Sequence, residues 1–391
     1  MKLSVRRAPY KIPTYSLTGD LLSYLACGLQ YRYHNRGALP PSTPVQLWFG
    51  EFIHGVMEEA YLRWKAGKLN AFPYAWKPDI WDIETTVDRY RLSPKGLTPP
   101  PNLFDRNGLD QRIASQRAAS ALNVWGPELF PLIDEAEVRL RGIRALSPPN
   151  LQPRADYYEV QGVVDVLGSL TLSRARTPNL IVKALEQELG DLSKLGPSFE
   201  VIVDYKGMRR PPKNDPKWDQ YAWQLRTYAW LRRMQLESLP TAAGVLLFLN
   251  ELEPSAEDLS HLQEEVKDRR TDVMPDDADL VALNAWTKRS KGKSTPPPKL
   301  SLEYRIKRSI RIVTVDESLI QESLQNFDQT VWEIEGGVAQ EVQGIPIPQA
   351  WGMPYVHKHG PPPIATCTAC DFKSYCPILA QSGKQPSVSV P

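Results

Sequence analysis

The chain has 391 residues, which is long enough for one large elaborated domain or two smaller ones with a sizeable core. Its 47 basic and 45 acidic residues nearly balance, so composition alone does not indicate a nucleic-acid-binding protein. No run of about eighteen apolar residues occurs, which argues against a membrane span. The N-terminus M-K-L-S-V-R-R lacks the apolar core and cleavage site of a signal peptide, so we expect a cytoplasmic protein.

The N-terminal part of the chain is predicted to be mostly helical. An extended lead-in over residues 1–14 precedes a helix over Ser16 to Tyr33, and the strongest helical pattern runs from Gln46 to Trp64. One stripe of that second helix consists of Gly50, His54, Glu58 and Tyr61. Residues 65–108 are rich in Pro and Trp and are expected to form an irregular or mixed insertion, followed by a helix over Gly108 to Leu132.

The rest of the chain alternates strands with helices. In order, the predicted elements are strands over Glu137–Leu146 and Tyr157–Leu172, a helix over Leu180–Leu192, a strand over Phe199–Gly207, a helix over Lys217–Leu236, a strand over Val245–Leu249, a polar surface excursion over 251–298, a strand over Tyr304–Val315 and an amphipathic helix over Glu317–Glu335. This alternation predicts a mixed α/β core that carries insertions.

An acid and a lysine stand at the end of an apolar strand, F-E-V-I-V-D-Y-K-G. Asp204 and Lys206 share a face of the strand because side chains alternate along it. A carboxylate that holds a divalent cation and a lysine that orients water are suited to metal-assisted hydrolysis, and Asp165 in the preceding β-rich run offers a second acid. Alone, such a triplet is better explained by a solvated salt bridge on an edge strand.

Three of the four cysteines cluster near the C-terminus. Cys367, Cys370 and Cys376 have the spacing C-x2-C-x5-C, and Cys27 lies far away near the N-terminus. Four thiolates are the set that a tetrahedral zinc or a cubane iron-sulfur cluster requires. His357 and His359 are an alternative completion of a zinc site without Cys27.

Together these residues resemble the PD-(D/E)XK nuclease superfamily, in particular its RecB-type branch with an iron-sulfur cluster. That branch includes the CRISPR-associated iron-sulfur exonucleases, exonuclease V and the nuclease domain of AddB. The matching motifs, in the order of the family, are Cys27, the helix histidine of Gly50–His54, the G-x-x-D of Gly162–Asp165, the D-x-K of Asp204–Lys206, the Q-x-x-x-Y of Gln224–Tyr228, and Cys367, Cys370 and Cys376. The 38 residues between Asp165 and Asp204 exceed the family's usual hairpin.

The resemblance implies a single elaborated nuclease domain over residues 1–391, built on a restriction-endonuclease-like mixed sheet flanked by helices. Within it, residues 46–64 and 135–250 are the expected catalytic core, and residues 65–130 and 251–300 are the expected helical insertions. Residues 15–35 and 360–380 are the expected subdomain of a 4Fe-4S cluster, held by the four cysteines.

The resemblance also implies roles for the site residues. His54, Asp165, Asp204 and the carbonyl of Tyr205 are the expected ligands of Mg2+ or Mn2+, and Lys206 is expected to position the attacking water. The remaining expectations are that Gln224 orients Lys206 or the water, that Tyr228 packs beside the phosphate, and that Glu58 and Glu137 support the ligands by hydrogen bonds.

The expected activity is cleavage of DNA, preferably of single-stranded ends, in DNA repair, CRISPR adaptation or phage defence, with a helicase, integrase or defence-system protein as partner. Phosphates are expected to contact basic residues near the D-x-K strand and in the segment from Arg305 to Arg311, while an aromatic side chain stacks on bases. The residues expected to bind nucleic acid are Arg209, Arg210, Lys213, Lys217 and Trp218. The alternatives are a DNA-binding or scaffolding subunit with little activity of its own, and a zinc-bound interaction module.

Overall fold

A computed structural model describes most of the chain, and the fold is a central sheet with helices on both faces. The described residues are 12–36, 45–69, 71–98, 113–146, 154–171, 178–286, 297–351, 367, 370–373 and 376. In these ranges no helix combines the length and apolar character needed to cross a membrane. The expected histidines at 357 and 359 and the turn at 148–150 lie outside the described residues.

The described strands form one six-stranded mixed sheet. They are β1 (Thr14–Ser16), β2 (Ile133–Ala145), β3 (Tyr157–Thr171), β4 (Ser198–Lys206), β5 (Thr241–Phe248) and β6 (Ile310–Thr314). β3 is antiparallel to β2 and β4, β4 is parallel to β5, and β5 is antiparallel to β6. A parallel β4–β5 pair needs a crossover, which a helix between them provides.

The described helices cover both faces of the sheet. They are α1 (Leu22–Ala26), α2 (Gly28–Tyr31), α3 (Val45–Lys65), α4 (Trp81–Val87), α5 (Ile113–Leu129), α6 (Leu180–Leu189), α7 (Lys217–Arg233), α8 (Ala256–Lys267), α9 (Asp277–Ala285), α10 (Leu302–Ser309), α11 (Glu317–Val342) and α12 (Ile347–Ala350). Helix α7 is the crossover between β4 and β5.

Alternate residues of the buried strands divide the interior into two layers. On β4, Val201 and Val203 belong to a core with α3 and α5, whereas Ile202 packs on the other face with α7 and α11. Side chains on both faces are buried, which explains why β5 and the middle of β4, Val201–Val203, are apolar. The two residues of the D-x-K motif follow Ile202 on the α7 face, as the alternation predicts.

Residues 251–286 contain more regular structure than the expected surface excursion over 251–298. Their helices α8 and α9, together with α10, enclose a third apolar cluster that includes Leu262, Leu283 and Trp286. Ser255 starts α8 with a reciprocal capping box involving Asp258. The insertion is therefore a small helical layer with a core of its own.

One predicted strand is wrong in its first half. Residues 304–309 of the expected strand Tyr304–Val315 belong to α10, and only Ile310–Thr314 form a strand. Arg305 and Arg308 face inward on α10, so ion-paired arginines occupy positions where the sequence pattern required apolar residues. The single helix predicted over Ser16 to Tyr33 is also divided into short turns, with extended backbone at Cys27.

Candidate active site

The site forms where one edge of β3 changes partner. On this edge, residues 159–161 pair with β1, and residues from Val166 onward pair with β4. The ladder between β3 and β4 ends at the pair Val166 and Val203, although β4 continues to Lys206 beside β5. Asp165 and the end of β4 therefore border a gap in the sheet.

The gap leaves the backbone of Tyr205 without a strand neighbour on its β3 side, and two side chains take that place. The amide of Tyr205 donates to Asp165 Oδ2 at 2.8 Å, and His54 Nε2 donates to the carbonyl of Tyr205 at 2.9 Å. His54 Nδ1 lies 3.2 Å from Asp165 Oδ1, which closes a ring of three contacts. Helix α3, the end of β3 and the end of β4 are thus joined at a single peptide.

Burial and charge act in opposite directions on the ionisable groups of this ring. Burial disfavours the imidazolium, but Asp165, with Asp204 and Glu137 beyond it, raises the pKa of His54 to about 9. Burial would raise the pKa of Asp165, yet the adjacent His54 lowers it. Burial raises the pKa of Asp204 to about 6, with Lys206 opposing the rise and the charge of Asp165 adding to it.

Glu137 lies closer to the centre of the site than its expected supporting role implies. Its neighbours Ala136 and Val138 pair with Val166 and Val164, so the register of β2 places Glu137 opposite Asp165. Its backbone is left-handed, with a φ of 53°, an unfavourable conformation for a residue with a side chain. Donor atoms of His54, Glu137 and Asp165 lie within 4.8 Å of one another, the one such group of three or more among the described residues.

Asp204 does not belong to that group, because its carboxylate forms an ion pair with Lys206. The amine of Lys206 also donates to Gln224 Oε1 at 3.0 Å, and Gln224 Nε2 donates to the hydroxyl of Tyr228 at 3.1 Å. Asp204 and Gln224 are 4% and 8% exposed, so these contacts are shielded from water. The D-x-K and Q-x-x-x-Y residues form a connected chain, and the sequence expectation that Gln224 orients the lysine agrees with this geometry.

Tyr228 also explains the glycine of the G-x-x-D motif. A Cβ on Gly162 would meet Tyr228 Cε1 at 2.4 Å, closer than real Cβ contacts allow. The ring lies directly over the β3 backbone three residues before Asp165, and its hydroxyl accepts the bond from Gln224. Two motifs that are distant in sequence are thereby in direct contact.

We predict that Gly162→Ala will lower the free energy of unfolding by about 1–3 kcal/mol, because the ring of Tyr228 must move to admit the methyl group. Gly50→Ala is the matched control. Nothing lies within 4 Å of a Cβ at Gly50, which is inside α3, so it should stabilise the protein by up to about 1 kcal/mol. Denaturant unfolding of both variants measures the difference, and equal effects would contradict the packing argument.

An arginine that sequence reasoning missed connects the expected insertion to the site. The guanidinium of Arg91 contacts three glutamates: its Nε lies 3.2 Å from Glu51, its Nη2 lies 3.1 Å from Glu137, and its Nη1 pairs with Glu58. Burial raises the pKa of Glu58 and the charge of Glu137 adds to it, whereas Arg91 opposes the rise. Arg91 compensates acids that would otherwise repel one another. No short motif around Arg91 signals this role, because the partners come from two other elements.

We predict that Arg91→Gln will destabilise the protein by about 1–2 kcal/mol near pH 7.5 and that part of the loss will disappear near pH 5. The pKa of Glu58 is already raised, and without the guanidinium the glutamates should gain protons as pH falls, which relieves their repulsion. Arg89→Gln is the control, because Arg89 is exposed on the same turn. Thermal unfolding at the two pH values measures the effect; a pH-independent loss would indicate packing rather than charge.

The four cysteines approach one another although they come from opposite ends of the chain. Burial raises the pKa of Cys27, with smaller increases from Cys376 and Cys367, and burial also raises the pKa of Cys370. All four are free thiols, and the amide of Phe372 donates to Cys370 Sγ at 3.4 Å. The expected ligand set is therefore brought into one region.

The basic residues expected to bind nucleic acid are in different environments. Arg210 is 4% exposed; its guanidinium pairs with Asp272 and donates to the carbonyls of Arg308 and Ile310, so the expectation that it binds phosphate is corrected. Arg209 pairs with the buried Glu265. Lys213 and Lys217 are exposed.

The same correction applies to most of the Arg305–Arg311 segment. Arg305 donates to the carbonyls of Leu300 and Leu252, and Arg308 pairs with Glu251 at 2.6 Å. Both are buried, so they stabilise the insertion rather than a ligand. Arg311 remains on the surface, where it stacks on Trp218.

The mixed sheet flanked by helices, with acids and a lysine at a gap in the sheet, is consistent with a restriction-endonuclease-like fold. Residues 198–377 match the family model of the PD-(D/E)XK nuclease superfamily. This segment contains the D-x-K motif, Gln224 and the C-terminal cysteines, while His54 and Asp165 precede it. No curated protein matches the sequence. The match supports a metal-dependent nuclease in general.

Proposed function

We propose that this protein is a RecB-type, metal-dependent nuclease that degrades single-stranded DNA from its ends. The observation that carries this proposal is the gap in the sheet where His54, Glu137 and Asp165 converge beside the partly buried Lys206. The motif set carries the finer assignment to an exonuclease of DNA repair, CRISPR adaptation or phage defence, working with a helicase, integrase or defence-system protein.

The donor set fits a divalent cation. Carboxylate oxygens and one imidazole are the ligands that suit Mg2+ or Mn2+. They come from α3, β2 and β3, and the residues of α3 and β3 both bind the backbone of Tyr205. His54, Glu137 and Asp165 would hold the ion, with Asp204 and the carbonyl of Tyr205 as further oxygen donors. When bound, the cation supplies positive charge that polarises the scissile phosphate.

Lys206 supplies the second charge in the site. Its ammonium has three donors, and Asp204 and Gln224 direct two of them. The third therefore has a defined direction toward an attacking water or a phosphate oxygen, where it stabilises negative charge that develops in the transition state. Tyr228 holds Gln224 in turn, so it acts through the lysine.

The cysteine region fits an iron-sulfur cluster with a structural role. The four cysteines supply the thiolates that a cubane cluster requires, and burial raises the pKa of both Cys27 and Cys370. Such a cluster would fasten the segment around Cys27 to the C-terminal segment and so close a very long loop.

Cleavage of labelled single-stranded DNA with Mn2+ or Mg2+ tests the proposed activity. Asp204→Ala and Lys206→Ala should each lower the rate by about 100-fold or more, because each removes charge from the site. Lys206→Ala should still bind Mn2+ in a calorimetric titration, since the proposed cation donors remain. Lys267→Ala, an exposed lysine on α8, is the control and should retain full activity.

A wild-type protein that binds DNA but does not cleave it under any of these conditions would contradict the nuclease proposal and favour a scaffolding subunit. Cleavage that is unaffected by Asp204→Ala would place the chemistry elsewhere.

Anaerobic purification tests the cluster. We predict a brown protein with iron and acid-labile sulfide in roughly equal amounts. Cys27→Ser and Cys370→Ser should both lose colour and unfold at a lower temperature, because they open the same connection between the chain ends. A colourless protein that contains zinc would refute the cluster.

A further inference from the structure

A cavity of about 980 Å³ lies beside the active site, between the start of α7, the edge strand β6 and helix α6. A line of contacts connects it to the catalytic lysine. The ammonium of Lys206 lies 4.7 Å from the centre of the Tyr221 ring, and Tyr221 meets Trp218 edge to face at 6.1 Å. Trp218 in turn lines the cavity.

Trp218 is held at its edges but carries a cation on its face. Its Nε1 donates to the carbonyl of Pro212 at 2.9 Å, and Phe248 packs against it edge to face at 5.5 Å. The guanidinium of Arg311 lies over the indole, 3.8 Å from its centre. The sequence predicted that Trp218 stacks on a base, but Arg311 covers this face of the indole.

Arg311 offers the planar surface instead. One edge of its guanidinium is fixed by Asp272 at 3.1 Å, and its side chain is 36% exposed. Asp272 also pairs with the buried Arg210, so its position does not depend on Arg311. A guanidinium fixed at its edge and backed by an indole is a rigid platform for a planar ligand.

The lining indicates which planar ligand fits. The cavity has equal numbers of cationic and acidic side chains, which are Arg210, Lys213, Lys307 and Arg311 against Glu188, Asp215, Asp219 and Asp272. This balance does not favour a phosphate, which requires an excess of positive charge. Gln187 and Asn214 add amide donors and acceptors of the kind that read the edge of a base.

We propose that this cavity binds an unpaired nucleobase of the substrate strand, stacked on Arg311 with Trp218 beneath it; this rests on the proposed nuclease function. A base inside a duplex has both faces covered by its neighbours, so the cavity selects single-stranded nucleic acid. The phosphates of the strand would contact two exposed lysines, Lys213 on the cavity lining and Lys217 beyond it.

The test measures binding of the full chain to single-stranded DNA in EDTA, so that cleavage does not interfere, by fluorescence anisotropy at several salt concentrations. The variants are Arg311→Ala and Arg311→Lys, which keeps the charge but loses the plane. Both substitutions should raise the dissociation constant roughly 5- to 100-fold, the range expected for the loss of one base stack. The dependence of binding on salt concentration should be unchanged. Lys267→Ala, an exposed lysine on α8 that does not line the cavity, should bind like wild type.

A second measurement follows 2-aminopurine placed at successive positions of the oligonucleotide. One position should change its fluorescence when the wild-type protein binds but not when either Arg311 variant binds, and blunt duplex DNA should show no such change. Both Arg311 variants should unfold at the same temperature as wild type, since Arg311 is partly exposed.

Three outcomes overturn the inference. In the first, Arg311→Lys binds like wild type and Arg311→Ala lowers the salt slope by about one, which indicates a phosphate contact. In the second, both variants bind like wild type. In the third, duplex DNA binds as tightly as single-stranded DNA and shows the same fluorescence change. Cleavage is assayed separately, so an active nuclease with no dependence on Arg311 would refute the cavity alone. Dependence on Arg311 without any cleavage would refute only the nuclease function.

Discussion

The arrangement of the site depends on the backbone of one residue, Tyr205. Strand β4 continues past the end of its ladder with β3, so the amide and carbonyl of Tyr205 have no partner on β3. Tyr205 is buried, and an unsatisfied buried peptide group costs about 1–3 kcal/mol. Asp165 and His54 provide those partners. The same requirement that completes the hydrogen bonding of the sheet thereby brings an imidazole and a carboxylate to the end of β4, close to Asp204 and Lys206.

On the α7 face of the sheet, packing fixes the position of Lys206. Tyr228 rests on Gly162 and receives the amide of Gln224, whose oxygen accepts from Lys206. A small residue on β3 therefore influences the direction of an ammonium on β4. The left-handed backbone at Glu137 belongs to the same construction, because it lies opposite Asp165 at the point where the strand pairing changes.

Much of this could be predicted from local patterns. The helix stripe of His54, the alternation that puts Asp204 and Lys206 on one face, and the spacing of Gln224 and Tyr228 are properties of single elements, and the structure agrees with them. The failures involve contacts between elements. Arg91 has three partners that are distant in sequence, Glu137 gains its place from strand register, and Arg305 and Arg308 carry charge on an inward helix face that the apolar pattern does not reveal. A basic residue next to an active strand is not evidence of exposure, as Arg210 shows.

The buried ion pairs between Arg210, Arg308, Glu251 and Asp272 have a consequence for any attempt to reduce this protein to a minimal core. Excision of residues 251–300 would remove both acids and leave the guanidinium groups of Arg210 and Arg308 without their ion-pair partners, and loss of one partner of a buried ion pair costs about 3–5 kcal/mol. Since Arg210 lies four residues after Lys206, the damage would spread directly to the end of β4. The extra helices are thus integral to the folded unit, and a shortened form would need both arginines replaced before it could become stable.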